Sequence, residues 1–262
     1  MYPVLFEIFR FQVGTYGLLY AVAFLAALRV ATHYARRAGI DTGRILDLGI
    51  YALLAGFAGA KLLLYLLDFR LYFGHPVEIL RTWRSAGVFH GGLLAAVAVS
   101  VWYLRRHRVP VAPAADAAAP ALALAQSIGR LGCFAAGCCY GLPSERPWAI
   151  TFRDPRAHQI TGVPLDLPLL PTQLFHAAGD LAIFLVLVLL HRRRPPPGTV
   201  FWAFLLLHGA GRFGLEFLRG DYRGPAIGGL LTFSQILALA GALLGAVMLA
   251  RGRAASPSRS PR

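Results

Sequence analysis

Of 262 residues, 57% are hydrophobic and only 15% charged, with a mean hydropathy of +0.58, so a water-soluble domain is excluded; such domains carry about 25% charged residues. A net charge of +14 and a pI of 10.7 would suit a nucleic-acid partner. Here, however, the basic residues flank apolar runs instead of clustering on an amphipathic domain, so no nucleic acid is expected and an all-α integral membrane protein is.

A membrane span needs about 20 mostly apolar residues. Seven runs qualify in chain order: 14–34, 45–67, 88–104, 117–139, 174–190, 199–217 and 230–250. Residues 1–250 therefore read as one polytopic membrane domain, and the Ser/Pro/Arg-rich 251–262 as a basic, disordered cytoplasmic tail. The N-terminus lacks a basic n-region and a small-residue cleavage site, so no removable signal peptide is expected. The connection 140–173 is too long for a bare turn and is expected to carry function. Compact arginine clusters follow the first, third, fifth and seventh spans: Arg36, Arg37 and Arg44; Arg105, Arg106 and Arg108; Arg192 to Arg194; and Arg251, Arg253, Arg259 and Arg262. Positive charge marks the cytoplasmic side, which puts the N-terminus outside and the C-terminus inside.

Polar residues inside the spans carry the functional signal. Arg130 lies in ALALAQSIGRLGCFAAGCCYG, and Arg212 and Glu216 lie in GTVFWAFLLLHGAGRFGLEFLRGD. A charge at bilayer depth costs about 2.5–3.5 kcal/mol on insertion scales, so it faces a partner, a ligand or water. His208, Arg212 and Glu216 recur every fourth residue and share one helix face. Arg212 and Glu216 are either an intrahelical ion pair and nothing more, or a carboxylate holding a guanidinium that grips an anion; the planar fork of Arg suits phosphate. A helix rises 1.5 Å per residue, so Arg212 lies about 20 Å into its span, in the outer half. Arg130 and Lys61 fall in the outer halves of theirs, and Tyr16, Tyr20, His90 and Gln235 lie early in spans that start outside. Polar residues of separate helices thus share one depth near the outer surface, which argues against a path through the membrane.

Glycines accompany them. Gly129, Gly132, Gly137 and Gly141 allow close helix approach or a broken helix, which explains the glycines but not Arg130. Gly91 and Gly92 follow His90 and leave room for a headgroup beside an imidazole able to act as general acid or base, although a lone His at a span mouth is also an ordinary interfacial residue. Cys133, Cys138 and Cys139 match neither zinc spacing nor a disulfide framework and read as small packing residues; no metal or cofactor is expected. There is no phosphate-binding glycine loop, zinc-protease motif or serine nucleophile elbow.

Taken together, these segments resemble the bacterial prolipoprotein diacylglyceryl transferases from the first span to the seventh. The likeness is carried by Tyr16-Gly17-Leu18-Leu19-Tyr20, Gly59-Ala60-Lys61, Phe89-His90-Gly91-Gly92-Leu93, Asp116 and Pro120 ahead of the signature helix, Pro147-Trp148-Ala149, Pro171-Thr172-Gln173-Leu174, Gly211-Arg212-Phe213 with Glu216, Arg219 and Asp221, and Ser234-Gln235-Ile236. The resemblance implies transfer of the diacylglyceryl group of phosphatidylglycerol to the lipobox cysteine thiol of a prolipoprotein, with loss of glycerol phosphate, in the bacterial inner membrane with the site on the periplasmic side. It implies Arg130 and Arg212 as phosphate ligands, Glu216 as the residue orienting Arg212, and His90 with Tyr20 near the thiol proton. Lys61, Gly91, Gly92, Gly129, Gly141, Gln173, His208 and Arg219 complete the implied binding residues.

The chain departs from the family signature, Gly-Arg-x-Gly-Asn-Phe-x-Asn-x-Glu-x-x-Gly. Cys133, Ala136 and Cys138 stand for Asn, Asn and Glu, while Gly129, Arg130, Gly132, Phe134 and Gly141 keep the frame. His208 stands for the Tyr usual before the Gly-x-x-Arg segment, and His176 for the Glu usual after the Gln-Leu-aromatic run. Two alternatives follow: a divergent transferase with another lipid or acceptor, such as its own Cys133 or Cys138, or a lipid-binding membrane protein without turnover.

Overall fold

Each of the seven apolar runs is a helix of 18 residues or more in the computed structural model, which describes residues 4–8, 11–75, 77–82, 87–221 and 230–254. In chain order the helices are α1 (Thr15–Arg37), α2 (Thr42–Leu67), the short α3 (Phe69–Gly74) and α4 (Val77–Arg81), α5 (Phe89–Arg106), α6 (Val111–Ala136), the short α7 (Pro155–Thr161), α8 (Thr172–Arg192), α9 (Thr199–Glu216) and α10 (Phe233–Ala254). Among the described residues, α1, α2, α8 and α10 are long and apolar enough to cross a membrane. Leu54, Phe57 and Leu62 of α2 and Leu243 of α10 are exposed. Such a surface is a liability in water, and lipid is its natural solvent.

Two small antiparallel sheets stand beside the helices, and hydropathy gave no sign of either. β1 (Val4–Ile8) pairs with β2 (Phe11–Gly14), and β3 (Ile150–Thr151) with β4 (Pro168–Leu169). Strands of two residues do not hold by themselves. A buried cluster of Phe152, Ala157, Val163 and Leu169, with Tyr140 against it, holds the second sheet to α7 and folds the 140–173 connection. Gly137, at φ 83°, ends α6 on this cluster; a Cβ there would sit 3.2 Å from Val163 Cγ1.

One boundary is corrected. Asp116 and Pro120 do not precede the signature helix; they lie inside α6, which starts at Val111. A mid-helix proline deprives the carbonyl four residues back of its donor. That carbonyl belongs to Asp116, and His191 Nε2 supplies the missing hydrogen bond at 2.8 Å. The Asp116 carboxylate meanwhile accepts from Gly198 N at 2.6 Å and Phe201 N at 2.8 Å, satisfying orphan donors at the start of α9. At its other end, α10 runs to Ala254, into the segment read as tail; residues 255–262 lie outside the described ones.

The chain forms two compact units, residues 1–34 with 115–262 and residues 35–114. In the smaller unit, α2 and α5 meet through glycine. A Cβ on Gly91 would clash with Leu63 Cβ at 2.5 Å, and one on Gly92 would lie 2.7 Å from the Gly56 carbonyl. Small residues give such close approach, the usual basis of helix association in lipid. In the larger unit, Ala119, Ala123, Leu187, Val200, Ala203 and Phe204 form a core shared by α6, α8 and α9. Gly209 lets α10 approach α9, with Ala242 N only 2.8 Å from where a Cβ would be. Thr232 and Gln235 open α10 with a capping box: Thr232 N donates to Gln235 Oε1 at 2.9 Å, and Gln235 N to Thr232 Oγ1 at 3.2 Å.

Candidate active site

In the larger unit, α8 and α9 each present a polar stripe to the other. On α9 the stripe is His208, Arg212 and Glu216; on α8 it is Gln173, His176 and Asp180. Spacings of three and four residues put each set on one face. Antiparallel neighbours with the same step stay in register, so two cross-links form. His176 Nε2 meets Arg212 Nη1 at 3.2 Å, and Asp180 Oδ1 meets His208 Nδ1 at 3.0 Å. A guanidinium only donates, so His176 Nε2 accepts and its ring carries its proton on Nδ1. Arg212 Nη2 also pairs with Glu216 Oε2 at 3.0 Å, and the Thr232 hydroxyl donates to Glu216 Oε1 at 3.3 Å. Glu216 is buried and Arg212 nearly so, which answers the sequence alternatives in part: the ion pair exists, and it holds the guanidinium against α8.

Just past α9, Arg219 makes a bidentate pair with Asp221, with Nε and Nη2 each 2.7 Å from a carboxylate oxygen. Burial opposes the charge on Arg219, yet these bonds outweigh it and hold the guanidinium above its ordinary pKa. Among the described residues, its Nη1 is buried without a hydrogen-bond partner. Nearby, burial and the Asp221 charge push the Tyr140 phenol up. Buried His176 is the α8 residue that meets Arg212.

Arg130 differs from its two neighbours. It is half-buried near the end of α6 and, among the described residues, has neither a hydrogen-bond partner nor a carboxylate within ion-pair distance. Gly129 and Gly132, either side of it, take the rings of α1: a Cβ on Gly129 would touch Tyr20 at 3.7 Å, and one on Gly132 would touch Tyr16 at 3.5 Å. The two tyrosine rings are 4.9 Å apart and partly exposed.

The turn after α6 is locked by backbone. Gly141 N donates to Leu170 O at 2.9 Å, and Gly220 N to Tyr140 O at 3.0 Å. A Cβ on Gly141 would lie 2.6 Å from the Leu170 carbonyl, so this position admits glycine alone. Fully buried Thr172 and Gln173 donate to Cys139 O and Cys138 O, each at 2.8 Å. Gln173 therefore holds the turn in place. The turn also brings Cys133, Cys138 and Cys139 together: their sulfurs lie within 4.8 Å of one another.

The remaining sequence-derived residues belong to the smaller unit. Lys61 Nζ donates to Thr82 O at 2.6 Å. His90, half-buried at the start of α5, meets Phe89 edge to face at 5.8 Å, and Gly91 and Gly92 are buried against α2.

The fold and this cluster define a multi-pass helical membrane protein with a buried cationic centre. Residues 3–251 match the family model for prolipoprotein diacylglyceryl transferase. A phosphatidylglycerol–prolipoprotein diacylglyceryl transferase of Clostridium tetani is 33% identical over 94% of this chain and 95% of its own length. One from Geobacter sulfurreducens is 33% identical over 94% of this chain and 93% of its own, and one from Vibrio cholerae is 32% identical over 94% and 90%. The chain belongs to the prolipoprotein diacylglyceryl transferase family.

Sequence reasoning noted His176 only as a departure and passed over Asp180, the partner of His208. The signal was present: Gln173, His176 and Asp180 sit at helical spacing inside an otherwise apolar run, mirroring the stripe on α9.

Proposed function

We propose that this chain transfers the diacylglyceryl group of phosphatidylglycerol to the lipobox cysteine of a prolipoprotein. The thiol sulfur attacks the glyceryl carbon, the bond from that carbon to the phosphate oxygen breaks, and glycerol phosphate departs as a thioether forms. The thiol proton is lost, and negative charge grows on the leaving phosphate. Catalysis then depends on fixed cations where that charge develops. The observation carrying this reading is Arg130, a half-buried arginine without a partner among the described residues, beside two arginines already paired.

Arg130 is assigned the phosphate, with Arg212 as second ligand and Glu216 as the residue that aims it. Arg219 adds positive field from its anchored position. Tyr20, whose ring lies over Gly129, is assigned to the edge of the headgroup site. His90 assists loss of the thiol proton, with Lys61, Gly91 and Gly92 as binding residues, on the strength of the family pattern in α2 and α5. Gly129 and Gly141 keep the backbone clear, Gln173 holds the turn, and His208 is set by Asp180. All seven long helices cross the inner membrane, with the N-terminus and the site on the periplasmic side, as the arginine clusters require.

The test is intact-mass measurement of a lipobox peptide incubated with purified protein and phosphatidylglycerol. A gain of one diacylglyceryl group on the cysteine, absent with Arg130→Gln, is the expected result. No gain while a curated relative is active in parallel would refute the assignment.

A further inference from the structure

The transfer reaction gives no role to the three cysteines, yet they are the densest group of metal-binding atoms among the described residues. Cys133 is buried in the last turns of α6, and Cys138 and Cys139 are half-buried in the turn that follows. All three sulfurs lie within 4.8 Å of one another. Thiolates about 2.3 Å from a zinc-sized ion stand about 4 Å apart, so the observed set needs to close by less than about 1 Å. Cys139 is held at φ 64°, left-handed backbone that a side chain rarely adopts. The carbonyls of Cys138 and Cys139 are pinned by fully buried Gln173 and Thr172. The turn is thus fixed in the form that gathers the sulfurs. A disulfide would use two of them and leave the third.

An independent feature points to an anion at the same place. The Arg219 side chain is 1% exposed, its Nη1 has no hydrogen-bond partner among the described residues, and its backbone bridges to Gly141, two residues past Cys139. Three thiolates around a divalent ion carry a net charge of −1, and around a monovalent ion −2; either gives this buried guanidinium a second counter-charge beside Asp221.

We propose that Cys133, Cys138 and Cys139 form a tri-thiolate site for a thiophilic d10 ion, Zn²⁺ or Cu⁺. Three thiols lose their protons to solvent as the ion binds, and no electron is transferred. The ion clips the end of α6 to the turn that carries Gly141, and so fixes the strand-like contact of that turn with Arg219. The site adjoins residues assigned to the transfer, Gln173 and Arg219 among them, so its test uses no turnover.

The full chain, purified in detergent, reduced and stripped with chelator, would first have its thiols counted. It would then be titrated with Cd²⁺ and followed by thiolate-to-metal charge-transfer absorbance, and in parallel with Zn²⁺ or Cu⁺ and analysed for bound metal. The expected result is saturation at one ion per chain, with the Zn²⁺ and Cu⁺ arms identifying which ion binds more tightly. Serine at any one of the three positions should weaken binding by more than the roughly 10–100-fold that outer-shell changes cause. Wild-type protein with three free thiols that takes up no ion overturns the proposal, with no variant needed. So does charge-transfer absorbance that survives all three serine changes, or chelator-stripped protein that remains two hydrogens lighter, as a disulfide, and binds nothing.

Discussion

The two units solve the same problem, packing helices where there is no water to drive them together, in opposite ways. Between α2 and α5 the solution is the absence of side chains: Gly56, Gly59, Gly91 and Gly92 let backbones touch. Between α8 and α9 it is a set of paired polar groups, Arg212 with Glu216 and His176, and Asp180 with His208. The glycine seam needs only room, whereas the polar seam must keep every charge matched, because an orphaned buried charge costs several kcal/mol. Arg130, a cation without a partner among the described residues, is the exception in a region built under that second constraint, and the proposed anionic ligand would supply its counter-charge.

The largest effect is expected at that exception. Arg130→Gln should lower transfer about 10²–10³-fold, the scale of losing one preorganised charge donor, while the protein inserts and keeps its thermal midpoint. An unchanged rate by peptide mass would remove Arg130 from the site. Next, Glu216→Gln should leave Arg212 in place but badly aimed, lowering the rate about 10²-fold; it should also lower stability, since breaking a buried pair costs about 3–5 kcal/mol. Thermal unfolding in detergent alongside the rate separates the two effects. Gly91→Val attacks the other seam. Forcing a side chain against Leu63 should cost about 1–3 kcal/mol, seen as a lower unfolding midpoint. The smallest effect is expected from His191→Phe, which keeps the stacking on Tyr34 but strands the Asp116 carbonyl; about 1–3 kcal/mol of stability should be lost with the transfer rate per folded molecule unchanged.

Sequence made one half of the polar seam plain and hid the other for a physical reason. Arg130, Arg212 and Glu216 are charges inside apolar runs, and cost alone flags them. His176 and Asp180 carry less weight on any hydropathy scale, and α8 stays apolar enough to span despite them, so the run reads as ordinary. The seven helices were legible because their hydrophobic length is. The folded 140–173 connection was not, because its core of Phe152, Ala157, Val163 and Leu169 draws on residues too scattered to show a period. Nor was the start of α6, which lies ahead of the 117–139 run: Asp116, a charge just outside that run, is inside the helix, and His191, far along the chain, gives its carbonyl the hydrogen bond that Pro120 cannot make.

That last contact bears on the order in which the chain is made. Asp116 uses its carbonyl for His191 and its carboxylate for Gly198 and Phe201, all of them synthesised long after α6. Until α8 and the start of α9 emerge from the ribosome, a helix with a buried carboxylate and an arginine waits with none of these partners, and it is not among the four helices apolar enough to enter lipid on composition. The hydrogen bonds of Asp116 are therefore complete only once later parts of the same chain have been made.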